Sequence, residues 1–271
     1  MKLSCRLELL PGKTVLEQAE AGHQYGFDGV GLPGRFLDRY LGNLEASLSD
    51  LPIPPMSLSL GFASSLLHPR TRERTRCRDS LLGLMDICAR LGVGLLNVPP
   101  VLIQDNPVRI GDPGEFPSLA ARLDALLIDQ LNEIGDEAAA RGLCFLLEPV
   151  NRFESEYLHS IEQGARLCER INHPAVGMTI DAFHMQMEER WPGESIRNAV
   201  GHVRHVHIAE NTREEPGVGA LDLKSVFRGL QAIDYDAWIE VEARTLSGPP
   251  ETVLPRSVAY VRGCWKENQA R

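Results

Sequence analysis

No apolar run in this chain approaches the roughly 20 residues that a helical bilayer span requires. Its start, MKLSCRLELLPG, also lacks the hydrophobic stretch of a secretory signal. These two absences predict a protein that is cytoplasmic and has no membrane partner. No CxxC pair and no framework spacing organise Cys5, Cys77, Cys88, Cys144, Cys168 and Cys264. Reduced cysteines packed inside are therefore expected in place of a disulfide scaffold. An excess of positive charge is missing too, since 28 Lys and Arg face 37 Asp and Glu for a net charge of −9. Such a surface repels phosphate backbones and argues against a nucleic-acid partner. The one dense basic stretch, HPRTRERTRCR over 68–78, carries Glu73 and opens a helical pattern, so it reads as a solvated helix face. Linkers, low-complexity tracts and internal repeats are likewise absent, and 271 residues suit one domain over 1–271.

What is present is an alternation of short β-branched apolar runs with longer helical patterns. Strands are expected at 3–9, 27–32, 56–62, 93–98, 143–149, 176–181, 202–208 and 237–242. Amphipathic helices are expected at 14–25, 35–48, 70–91, 116–141, 160–171, 193–200, 222–232 and 252–265. Turn signals such as YGFDG, LGVG, ARGL and INHP stand at the helix ends. Strand–helix alternation of this kind demands parallel strands joined by right-handed crossovers. The length is close to the roughly 250 residues of a (β/α)8 TIM barrel, and that α/β fold is the expectation. A doubly wound open sheet competes, but no GxGxxG follows the first strand.

In such a barrel the chemistry sits at the C-terminal ends of the strands. The fifth expected strand ends LLEPVNRFE and puts Glu148 at its tip; the sixth ends MTIDAFH, with Asp181 at the tip and His184 just beyond. The seventh ends HVHIAEN, with His207, and the eighth ends IEVEAR, with Glu242. Three carboxylates crowded with an imidazole repel one another at neutral pH unless a cation joins them. A donor set without thiolate suits one divalent ion such as Mn²⁺, Mg²⁺, Co²⁺ or Zn²⁺. Each residue alone has a plainer reading. Asp181 could cap a helix, and His207 could be a hydrogen-bonded core residue, as His205 on the same strand face is expected to be. Glu240 shares the strand parity of Glu242 one layer deeper and is the second choice there. The joint placement on four successive strands supports Glu148, Asp181, His207 and Glu242 as a metal site.

At these residues the chain resembles the xylose isomerase-like TIM-barrel superfamily of sugar isomerases and epimerases, with the ketose 3-epimerases of the tagatose and allulose type as the nearest branch. The resemblance is carried by LLEPVNRFE (146–154), VGMTIDAFHM (176–185), HVHIAENTREEPGVGALD (205–222) and YDAWIEVEA (235–243). It implies the same four metal ligands and further implies that Glu154, His184 and Arg213 line the substrate. Plainer readings are a surface charge for Arg213 and an ion pair with Arg152 for Glu154. The first half of the chain agrees only in layout. Its first strand lacks the aromatic residue expected over the substrate, the loop ASSLLHPRTRER is short, and NVPPVLIQDNP lacks the aromatic and glycine pattern expected there.

The reaction implied is proton abstraction beside a carbonyl through an enediolate, with Glu148 and Glu242 as base and acid on a small sugar or polyol. Relatives of this kind also leave room for a homo-oligomer. An inosose dehydratase-like lyase would use a similar site. An endonuclease IV-like nuclease would need extra histidines, whereas the fourth strand ends NVPP and the third loop offers only His68. A non-catalytic sugar-binding protein would not need the complete donor set.

Overall fold

The computed structural model describes residues 1–103 and 117–269. The chain forms strands β1 (Lys2–Arg6), β2 (Gly29–Pro33), β3 (Pro55–Ser59), β4 (Leu95–Val98), β5 (Cys144–Leu147), β6 (Val176–Asp181), β7 (Val203–Ile208) and β8 (Trp238–Val241). Each pairs in parallel with its neighbours in sequence, and β1 pairs with β8, so the sheet closes into a barrel in the order β1 to β8. The helices around it are α1 (Val15–Tyr25), α2 (Leu37–Ser47), α3 (Thr71–Leu91), α4 (Pro117–Ala140), α5 (Ile161–Ile171), α6 (Ala182–Glu188), α7 (Pro192–Asn198), α8 (Leu223–Ala232) and α9 (Pro250–Gln269).

The expected α/β barrel is therefore what forms, and local chemistry explains several boundaries. Thr14 accepts the Glu17 amide at the start of α1, and Ser160 with Gln163 makes a capping box at the start of α5. Gly26, Gly92 and Asn172 end α1, α3 and α5 in the left-handed conformation, as YGFDG, LGVG and INHP foretold. Two expected strands run too long. β1 gives way at Leu7–Leu9 to a 3-10 turn, and β3 stops where Leu60 and Gly61 turn to φ of 65° and 88°. The short helix α6 was not expected at all. Part of the NVPPVLIQDNP loop, residues 104–107, and position 116 lie outside the described residues.

The strands' two faces differ in kind. Leu3, Val30, Leu58, Leu96, Phe145, Ile180, Val206 and Ile239 are buried in the apolar core. Burial of such side chains contributes about 1.5–3 kcal/mol each. The alternate positions carry Ser57, Asn97, Thr179, His205, His207 and Glu240, polar and equally buried. Polar groups taken from water at that cost require partners, and those partners define the site. All six cysteines are free, five of them buried. In the basic stretch, Arg72 and Arg76 lie in solvent beside Glu73, as a solvated helix face requires. Among the described residues no helix is long and apolar enough to cross a membrane.

Candidate metal and substrate site

Glu148, Asp181, His207 and Glu242 converge at the C-terminal mouth of the barrel, each offering a donor atom within 4.8 Å of the others'. His207 Nδ1 lies 3.1 Å from Glu148 Oε1 and 3.2 Å from Glu242 Oε2. Asp181 serves twice. Its Oδ1 accepts the Phe183 amide at 2.7 Å and so starts α6, while Oδ2 is buried without a hydrogen-bond partner among the described residues. The helix-cap reading and the ligand reading of Asp181 thus concern different oxygens.

The electrostatics describe a place that collects positive charge. Burial alone would lower the His207 pKa, but Glu242 and Glu148 raise it well above the usual imidazole range. Burial raises the Glu242 carboxyl, yet His207, Arg6 and Arg213 hold it well below the usual carboxylate range. Asp181 is pushed up, first by burial and then by Glu242 and Glu148, against His184 and Arg213. The same three carboxylates and imidazole, with the His207 ring freed of its proton and a buried Asp181 oxygen unpaired among the described residues, form a donor set that fits a divalent cation.

The expected substrate-lining residues stand around this cluster. His184 Nε2 is 3.4 Å from Asp181 Oδ2, and its Nδ1 is 2.6 Å from Asn151 Nδ2. Arg213 sits at φ 63°, with its guanidinium 4.1 Å from the Phe183 ring centroid and Nη1 3.7 Å from Asp181. Its Nε and Nη1 are buried without hydrogen-bond partners among the described residues, so a solvated surface charge does not describe it. Glu154 accepts from Asn151 at 3.2 Å and pairs with Arg244 at 2.9 Å. The alternative ion pair with Arg152 does not form, because Arg152 turns to Glu188.

Three further residues were not singled out from the sequence. Asn97, at the tip of β4, donates Nδ2 to Glu148 Oε2 at 2.8 Å. Asn151 orients both His184 and Glu154. Arg6, at the end of β1, donates to Glu242 Oε1 at 2.6 Å. The strand-tip rule that found the acids would have found Asn97, had it been extended to amides; Arg6 lay inside the expected strand 3–9 and only the earlier end of β1 puts it at a tip. His205 and Glu240 are fully buried and 3.3 Å apart, one layer below, as their strand parity required. His68 accepts the Arg70 amide and takes no part in the cluster.

Residues 19–264 match the family model described as xylose isomerase-like TIM barrel. The 3-dehydro-D-guloside 4-epimerase of Escherichia coli is 24% identical over 264 residues, covering 97% of this chain and 100% of that one. The L-ribulose 3-epimerase of Mesorhizobium japonicum is 34% identical over 242 residues, covering 85% of this chain and 77% of its own. The crystal structure of the apo 3-keto-D-glucoside 4-epimerase from E. coli superposes with a TM-score of 0.84 at 22% identity, covering 97% of this chain and all of that one.

Proposed function

The chain belongs to the xylose isomerase-like TIM-barrel family of sugar epimerases and isomerases, and on that premise we propose that it is a metal-dependent epimerase of keto sugars. The observation that carries this reading is the buried convergence of Glu148, Asp181, His207 and Glu242 with Asp181 Oδ2 left unpaired. Those four residues would hold one divalent ion, Mn²⁺ first among Mg²⁺, Co²⁺ and Zn²⁺. When bound, such an ion supplies the positive charge that stabilises an oxyanion formed beside the deprotonated carbon. The names of the relatives share one chemical requirement. A 3-dehydro sugar inverted at carbon 4 and a 2-ketose inverted at carbon 3 both lose a proton from the carbon next to a ketone.

In this reading Glu148 takes that proton, and Glu242 passes one drawn from solvent to the opposite face, which inverts the centre through an enediolate; Glu148 then returns its proton to solvent. Asn97 keeps Glu148 Oε2 engaged, so that Oε1 is the oxygen turned to the cluster. Arg213 offers its two unpaired nitrogens to substrate oxygens, and His184, fixed by Asn151, offers Nε2. Glu154, pinned by Asn151 and Arg244, completes the substrate wall. The test is incubation of 2-ketoses and 3-keto glycosides in D₂O with Mn²⁺, following deuterium at the carbon beside the ketone. The wild type should exchange and invert, while Glu148→Gln should bind Mn²⁺ yet lose exchange. Full exchange in Glu148→Gln would remove Glu148 as the base.

A further inference from the structure

Beneath the four converging residues, the barrel interior holds a second set of charges that the proposed reaction does not use. Most TIM barrels fill this space with branched apolar side chains. Here Glu240, on β8, accepts from Ser57 Oγ at 2.5 Å and lies 3.3 Å from His205 Nε2, with all three side chains fully buried. Its other oxygen, Oε1, has no hydrogen-bond partner among the described residues and stands 3.9 Å from Arg6 Nε, which also has none there. Gly31 on β2 makes the room, since a Cβ there would come within 2.2 Å of Glu240 Oε1. Arg6 then reaches upward, with Nη1 on Glu242 Oε1 at 2.6 Å and Nη2 on Glu8 at 3.0 Å.

We propose that Glu240 and Arg6 act as a positioning relay that holds Glu242 by one oxygen and leaves only Oε2 for the ion. The inference rests on the reading of Glu242 as a metal ligand. Its physical basis is charge accounting in a buried place. Arg6 has only 9% of its side chain exposed, and a buried guanidinium needs a fixed counter-charge. Glu242 is the nearest carboxylate to Arg6, and as its only counter-ion it would set Arg6 against the divalent ion for the same group. Beside Glu8 at 3.0 Å, Glu240 adds a fixed, fully buried negative charge 3.9 Å below Arg6 Nε, and Ser57 and His205 keep it there. Arg6 can then orient Glu242 while leaving its second oxygen 3.2 Å from His207 Nδ1. Neither Glu240 nor Arg6 is asked to touch the substrate.

Glu240→Gln keeps the shape and removes the charge. It should weaken Mn²⁺ binding, measured by calorimetry, and lower kcat, each by roughly 10–100-fold, with KM moving less than about twofold. Arg6→Met should alter the visible spectrum of the Co²⁺-loaded protein, because Glu242 is freed to offer both oxygens, and Arg6→Lys should recover part of the wild-type spectrum. A merely structural role would lower the melting temperature and leave the Co²⁺ spectrum and Mn²⁺ affinity alone. Folded variants with wild-type spectrum, affinity and kcat overturn the relay. If Arg6→Met does not fold, the near-isosteric Glu240→Gln decides on the same affinity and kcat readouts. A wild type that takes up neither ion overturns the underlying reading and the relay with it, whereas wild-type binding with indifferent variants overturns the relay alone.

Discussion

The two halves of the barrel mouth do different work. Glu148, Asp181, His207 and Glu242 stand at or just past the ends of strands β5 to β8, and their donor atoms crowd together. Strands β1 to β4 add Arg6 and Asn97 at their tips, and each grips one oxygen of an acid from the other half. The second half thus supplies charge, and the first half limits how that charge is presented. Arg6 holds Glu242 with a permanent cation, whereas Asn97 holds Glu148 with a neutral amide. The two acids therefore meet the same cluster in different electrostatic settings, which suits the opposite roles in proton transfer proposed for them.

If that division is right, substitutions in the second half should cost most. Asp181→Asn is the sharpest probe, because asparagine caps a helix about as well as aspartate and should keep α6. Its effect should fall on Mn²⁺ affinity and kcat/KM, beyond the roughly 10–100-fold typical of residues that only orient a ligand, with little change in melting temperature. Unaltered Mn²⁺ uptake in Asp181→Asn would break the comparison at its strongest point. Asn97→Ala should come next, with a loss inside that roughly 10–100-fold range, seen in kcat more than in KM. Losses in Asn97→Ala as deep as those in Asp181→Asn would mean that the first half is not merely a support.

The same asymmetry governs what the sequence made legible. An acid at the end of an apolar strand is conspicuous, so Glu148, Asp181 and Glu242 could be read from pattern alone. Arg6 was hidden because the apolar run LSCRLEL seemed to continue to Leu9, which placed the arginine inside a strand that in fact ends there. Asn97 was passed over because an amide carries no charge to announce itself. Helix α6 escaped for a related reason: it is only 7 residues long, and its N-cap is a residue whose other oxygen belongs to the site. The partner of Glu154 could not be read at all, because Arg244 arrives from 90 positions away while the adjacent Arg152 is drawn to Glu188. Local pattern fixes strand tips well, but the choice among competing ion pairs is made only in three dimensions.

The smallest expected effect concerns the rim that holds the second half's loops in place. Glu215, in the loop after β7, is fully buried and accepts from Ser247 after β8 and from Arg256 on α9. Burial raises its carboxyl pKa, but the bonds from Ser247, its own backbone amide and Arg256 outweigh that and bring it below the usual carboxylate range. A depressed folded-state value means that the clasp contributes its full stability above the unfolded value of about 4.3 and loses it as pH falls through the folded one. Glu215→Gln should therefore narrow the drop in melting temperature between neutral pH and the acid side of that value, while leaving Mn²⁺ affinity at neutral pH within about twofold of wild type. A variant that melts with the wild-type pH dependence would show that the clasp does not depend on the ionised carboxylate. One that lost Mn²⁺ at neutral pH would show instead that rim and ligand cluster are coupled, and that charge supply and loop support in the second half cannot be separated.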